Sequence, residues 1–212
     1  MNDLLQATAQ RAIRYLSSVD TRGVAPTPEA IARLAALGGP LPEEPADAAE
    51  VLALLDDIGS PATMASTGGR YFGFVIGGAL PATLAASWLA STWDQNGGMT
   101  VASPIASALE VAAQGWLLDV LGLPASAGVG FVTGATMANF SALAAARHAL
   151  LERAGWNVEA QGLFGAPPIT VVVGDEVHVS LLKGLNLLGL GRERVVRVPV
   201  DRQGRMRPDA LP

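Results

Sequence analysis

The sequence has no cysteine, two histidines and a single lysine. Without cysteine, neither a disulfide frame nor a thiolate metal site can form. Two histidines with no HExxH spacing leave a zinc centre short of ligands. Charge is also sparse: 16% of the 212 residues are charged, and the formal net charge is −5. That balance provides no basic face for nucleic acid. No run of about 18 uncharged apolar residues carries the flanks of a membrane span. Residues 73–92 come nearest, but their Gly, Pro and Ser fit a buried segment better. The opening MNDLLQATAQRAIRYLSSVD mixes Asp and Arg among its apolar residues and does not read as a signal peptide. A soluble, cytoplasmic chain is expected. Three familiar fingerprints are missing too: no GK[ST] follows a glycine loop, no GxGxxG occurs, and there is no GxSxG elbow.

What remains is half hydrophobic, enough for a large buried core. Residues 1–60 read as a helical N-terminal segment broken by proline. Leu4, Leu5, Ala9, Ala12, Ile13 and Leu16 fall at helical spacing. Thr27-Pro28 is a cap followed by proline in the first turn, and a third helix is expected over roughly 47–58. This segment is too thin to hold a core alone and is expected to pack on the main body or a second subunit. Residues 61–212 read as α/β. A buried helix starts near Pro81, and Ser103-Pro104 opens another, with Ile105, Ala108, Leu109, Ala112, Trp116 and Val120 on one stripe. Strands are expected before Thr133, at 169–173 and at about 194–199, with a helix near 179–188. Alternating strands and helices predict a largely parallel sheet covered on both faces. Trp88, Trp93, Trp116 and Trp156 read as packing residues.

Two places carry chemistry. In GFVTGATMANFSALAAAR, residues 130–147, a short apolar stretch meets Thr133-Gly134-Ala135-Thr136 and then a long uncharged helix. Gly134 and Ala135 leave backbone amides accessible, and Thr133 and Thr136 add hydroxyls. Such an entrance suits an anion; it is equally a capped helix with no ligand. The second place is His178 in VVVGDEVHVS, just beyond the carboxyl end of a predicted strand, where parallel sheets place ligands. A lone histidine is also a common structural residue. His148, in mid-helix beside Arg147, reads as structural. The acidic residues at 43–57 read as a solvated helical region.

Taken together, four stretches resemble the pyridoxal-phosphate-dependent group II decarboxylases, the family of aromatic-amino-acid, histidine and glutamate decarboxylases. They are GGRYFGFVIGGALPATLAASWLA, VASPIASALEVAAQGWLLDVLGLP, GFVTGATMANFSALAAAR and VVVGDEVHVSLLKGLNLLGLG, in the family's order. The resemblance runs from about residue 60 onward, and more loosely over the N-terminal helices. It implies a fold-type I large domain, incomplete here, with pyridoxal 5'-phosphate as cofactor and an amino acid as substrate. By position, Ala135 and Thr136 match the family's phosphate binders. His178 matches the histidine that stacks on the cofactor ring and positions the reacting groups. Phe74 matches the substrate side of the pocket.

The departures are specific. Gly68-Gly69 stands where the family has His-Pro, and Met137 stands where it has Glu. The substrate amino acid is therefore not specified by these pieces. Family members also supply, beyond the His178 segment, an aspartate for the pyridine nitrogen and a Schiff-base lysine. This sequence reaches RMRPDALP before either, and Lys183 matches no Schiff-base position. The expectation is an N-terminal portion of a carboxy-lyase, inactive alone, that forms a homodimer or joins a complementary chain. Another fold-type I enzyme (an aminotransferase or a desulfurase) and a non-catalytic dimerisation remnant remain open alternatives.

Overall fold

A computed structural model describes all 212 residues, Met1–Pro212. They form two compact units, Met1–Asn96 and Gly97–Pro212.

In the first unit, helix α1 (Asn2–Ser18) packs on α3 (Ala48–Gly59), with the short α2 (Pro28–Arg33) between them in sequence. Thr27 caps α2 by accepting from the Ala30 amide, and Asp47 caps α3 by accepting from Ala49 and Glu50. Both starts follow from a short oxygen-bearing side chain ahead of the first turn. An ion pair ties α1 to α3. Arg11 lies 2.8 Å from Asp56 and 3.3 Å from Asp57. The Ser60 hydroxyl also donates to Asp56. The acidic stretch is thus not wholly solvated: the Asp56 side chain keeps only 24% of its exposure. Val19 and Ala65 are buried, and a Cβ added at Gly68 would come within 2.6 Å of Val19 Cγ1. Helix α4 (Pro81–Trp93) completes the unit.

In the second unit, α5 (Pro104–Val120) opens on Ser103, whose buried side chain accepts from the Ala106 amide. Helix α6 (Ala135–Arg153) is followed by the short α7 (Val158–Gln161), strand β1 (Val172–Gly174), helix α8 (Val179–Leu187) and strand β2 (Val196–Val198). The strands pair in parallel, Val172 opposite Val196 and Gly174 opposite Val198, so β1–α8–β2 is one crossover unit. Leu151, Leu185, Leu188, Val173 and Val198 form the buried core.

The sheet is smaller than the sequence pattern predicts. Gly130–Thr133 is not a strand, because no neighbouring strand pairs with it; Phe131 and Val132 stay exposed. The stretch predicted at 169–173 is a strand only from Val172, after Pro167-Pro168, and Val172 is exposed. Val173 and Val198 lie on opposite faces in this register and are buried, whereas Val172 and Arg197 are exposed, so each face is covered in part. The tryptophans differ too. Trp88, Trp93 and Trp116 are exposed, Trp116 to 72%. On α5 the buried residue is Leu118, off the predicted stripe. Trp156 alone is half-buried, donating from Nε1 to the Gly162 carbonyl.

Candidate functional site

Helices α6 and α8 run parallel and in register. Near their starts Asn139 Nδ2 donates to Ser180 Oγ at 2.9 Å; near the far end Arg147 Nη1 donates to the Leu188 carbonyl at 3.1 Å. Between these ties the helices approach closely, since a Cβ at Gly184 would sit 3.4 Å from Phe140 N and Leu143 Cδ1. Gly184 is buried for that reason. Parallel packing brings the two N-termini to one end. Each contributes the positive end of a helix dipole, about half an elementary charge.

The two N-termini are finished differently. Helix α8 is capped by His178, whose Nδ1 accepts from the Ser180 amide at 3.2 Å and lies 2.8 Å from Ser180 Oγ. Helix α6 has Gly134 at its cap and no side-chain cap at all. Its leading amides, at Ala135, Thr136 and Met137, precede the first intrahelical bond, from Ala138 N to Gly134 O. Gly134 and Ala135 are exposed and Thr136 is half-buried. The backbone at Gly134 is extended, with φ 161°, so glycine is not needed there for conformation. What glycine leaves is room, since a Cβ at that position would meet nothing within 4 Å.

The predicted residues therefore divide. Ala135 and Thr136 begin α6, and His178 caps α8, at the same end of the helix pair. Phe74 belongs to the first unit, so this cluster forms without it. Its backbone is left-handed (φ 54°), as is that of Val75 (φ 56°), and its ring is 91% exposed. Two consecutive side-chain-bearing residues there store strain of about 1–3 kcal/mol each. Lys183 is exposed in the middle of α8. His148 lies on α6 with Nε2 3.8 Å from Glu152 and Nδ1 3.2 Å from Glu159. A groove of about 740 Å³ in the first unit is lined by apolar residues of α1 and α4, with Arg11 and Asp56 at its edge.

Two residues escaped the sequence reading, Asn139 and Ser180. Ser180 is 6% exposed, and it and Ser103 are the only buried polar residues. The available signal was an asparagine inside an apolar helix and a serine two places after the histidine.

The two helix starts offer different chemistry. Uncapped amides, a half-buried hydroxyl and open space at Gly134 suit a phosphate group. The tethered imidazole is a flat surface for an aromatic ring. A family model described as the pyridoxal-dependent decarboxylase conserved domain matches residues 40–212. The aromatic-L-amino-acid decarboxylase of Bacillus atrophaeus is 31% identical over 126 residues, 59% of this chain and 24% of that protein. Tryptophan decarboxylase 1 of Oryza sativa subsp. japonica is 30% identical over 141 residues, 61% of this chain and 27% of that protein. Among solved structures, mouse CSAD superimposes with a TM-score of 0.84 at 22% identity, over 99% of this chain and 44% of that one. Oryza sativa TDC, solved with PLP and tryptamine, gives 0.83 at 23% identity, again over 99% and 44%. The chain thus spans about a quarter of the curated relatives and under half of the solved chains.

Proposed function

The chain belongs to the pyridoxal-dependent decarboxylase family, and from that premise we propose that it carries the phosphate- and ring-facing half of an amino-acid carboxy-lyase site. The observation that supports this most is the pairing of an uncapped α6 N-terminus with a histidine-capped α8 N-terminus at one end of a parallel helix pair. Relatives named for aromatic amino acids, tryptophan and 2,4-diaminobutyrate support an amino-acid substrate.

Pyridoxal phosphate, when bound, supplies an electron sink for the electron pair left as CO₂ departs from an amino acid. The roles of this chain's residues follow from their chemistry. The amides of Ala135 and Thr136 donate to the phosphate, with the Thr136 hydroxyl as a further donor. Two helix N-termini favour its negative charge. His178 covers the ring. Because its Nδ1 accepts from the Ser180 amide, the neutral imidazole keeps its proton on Nε2.

Two finer points belong to the same reading. Lys183, the single lysine, is exposed on α8 and is not the Schiff-base residue. The 212 residues alone then release no CO₂. The exposed Val111, Trp116 and Val120 of α5 favour association with a second copy or a complementary chain. No helix is long and apolar enough to cross a membrane, and a cytoplasmic location is part of the proposal.

Comparative titration tests the reading. Pyridoxal phosphate should bind at least about tenfold more tightly than pyridoxal, the equivalent of one or two charge-assisted hydrogen bonds. Equal affinities, or no binding of either, would overturn it. Borohydride reduction should leave no adduct on Lys183.

A further inference from the structure

We infer that Asn139 and Ser180 are positioning residues: a directed chain from the Asn139 amide through the Ser180 hydroxyl to His178 Nδ1 fixes the imidazole's orientation and keeps its proton on Nε2. This rests on the reading of His178 as the ring-facing residue.

The direction of the chain is set by counting protons. Ser180 donates its backbone N–H to Nδ1, so Nδ1 presents a lone pair rather than a hydrogen. The Ser180 hydroxyl, 2.8 Å from the same nitrogen, has one proton and points it at that lone pair, which it shares with the amide in a three-centre bond. Its oxygen is then free to accept, and the group 2.9 Å away is the Asn139 amide nitrogen, a pure donor. Turning the amide over would place an acceptor there, leaving one hydroxyl proton between Asn139 Oδ1 and His178 Nδ1. The reverse chain, Nδ1–H to Ser180 Oγ and on to Asn139 Oδ1, would set a ring hydrogen against the Ser180 backbone N–H, so the amide nitrogen faces Ser180.

Helix packing does not require this chain. The α6–α8 contact is already made by the close approach at Gly184 and by Arg147 on Leu188. An apolar pair of similar volume at Asn139 and Ser180 would pack there nearly neutrally. A buried hydroxyl is costly unless it is bonded, yet Ser180 is among the two most buried polar residues of the chain. What the polar pair adds is a second donor that strengthens the preference, already set by the Ser180 amide, for the proton on Nε2 of an exposed ring. The relay also joins His178 to the helix that carries Thr136, so the ring and the anion site move as one body.

The chain has two histidines, so a His148→Gln background leaves His178 alone in a ¹⁵N-histidine spectrum. Long-range ¹H–¹⁵N correlations above neutral pH then read the ratio of the two neutral tautomers without any cofactor. The starting protein should show the Nε2–H form in clear excess. The double variant Ser180→Ala, Asn139→Leu should lower that ratio about fivefold, the worth of one ordinary hydrogen bond; Ser180→Thr, which keeps the hydroxyl, should restore it. An unchanged ratio in the double variant overturns the inference. If the double variant does not fold, Asn139→Asp decides. It replaces the donor by an acceptor that draws the hydroxyl proton away, so the ratio must fall, and an unchanged ratio overturns the inference. Binding provides the separate check. The relay variants should weaken pyridoxal phosphate severalfold while leaving inorganic phosphate unaffected, and equal weakening of both overturns the positioning role. A starting protein that binds neither phosphate compound refutes the functional reading, whatever the tautomer ratio shows.

Discussion

Arg147 on α6 donates through Nη1 to the carbonyl of Leu188, 3.1 Å away at the C-terminal cap of α8. A cation at the negative end of a helix dipole satisfies an orphan carbonyl and stabilises the charge there. The same guanidinium keeps a buried Nε without a hydrogen-bond partner, which offsets part of that gain. Arg147→Met removes both effects. The net loss should be about 1–2 kcal/mol in urea unfolding. A variant as stable as the starting chain would show that the unpartnered Nε cancels the cap.

Gly134 separates room for an anion from backbone need. Its φ is extended and its Cβ site is empty, so Gly134→Ala should unfold at the same temperature within a degree or two. Phosphate affinity should nevertheless fall, because the added methyl group stands where an anion approaches the α6 amides. Thr136→Val, tested beside it, should weaken pyridoxal phosphate about tenfold. Isothermal titration of both variants measures the two effects.

In the first unit, Gly68 marks a close packing contact. A methyl group there would meet Val19 Cγ1 at 2.6 Å and the Ala65 carbonyl at 3.3 Å. Both neighbours are buried and have little room to yield. Gly68→Ala should therefore destabilise the unit by about 1–3 kcal/mol, read as a lower denaturation midpoint. Gly69→Ala, with nothing within 4 Å, is the matched control and should be neutral.

Acid should loosen α1 from α3. The Ser60 hydroxyl, then the Arg11 guanidinium, hold the Asp56 carboxyl below its ordinary value of 3.8. A carboxylate lowered on folding stabilises the fold above its unfolded value, and this contribution fades as pH falls through the folded one. Melting followed from pH 5 downward should show a loss beginning below about 4. Asp201 and Asp209, also held low by arginines, add to the slope in the second unit. The diagnostic is the difference: Asp56→Asn should start less stable and lose less on acidification.

Helix starts were the most legible part of the sequence. Thr27-Pro28, Asp47 and Ser103-Pro104 each put an acceptor ahead of a free amide, a local event that needs no distant partner. The break at Gly134 was readable as a run of small residues ending an apolar stretch, again a local signal. Strands were not, because a strand exists only where another pairs with it. Gly130–Thr133 has the composition but no neighbour, while Val172–Gly174 and Val196–Val198 have each other. Half-hydrophobic composition also promised more burial than occurs, since Trp88, Trp93 and Trp116 face no covering layer. The site was half visible. His178, Ala135 and Thr136 stood out by position, but the Asn139–Ser180 bond spans 41 residues and depends on helix register. No short window of sequence contains that register.

The spacing of the two ties between α6 and α8 has a consequence for how these segments can change length. From Asn139 to Arg147 and from Ser180 to Leu188 the count along each helix is the same, so the pair behaves like two rulers pinned at matching marks. An insertion of one residue into either span would turn every later side chain by about 100° and pull one pin out of its hole. Between the pins the exposed residues can be exchanged while Gly184 and Leu185 must keep their size, and residues can be added only where both helices have already ended.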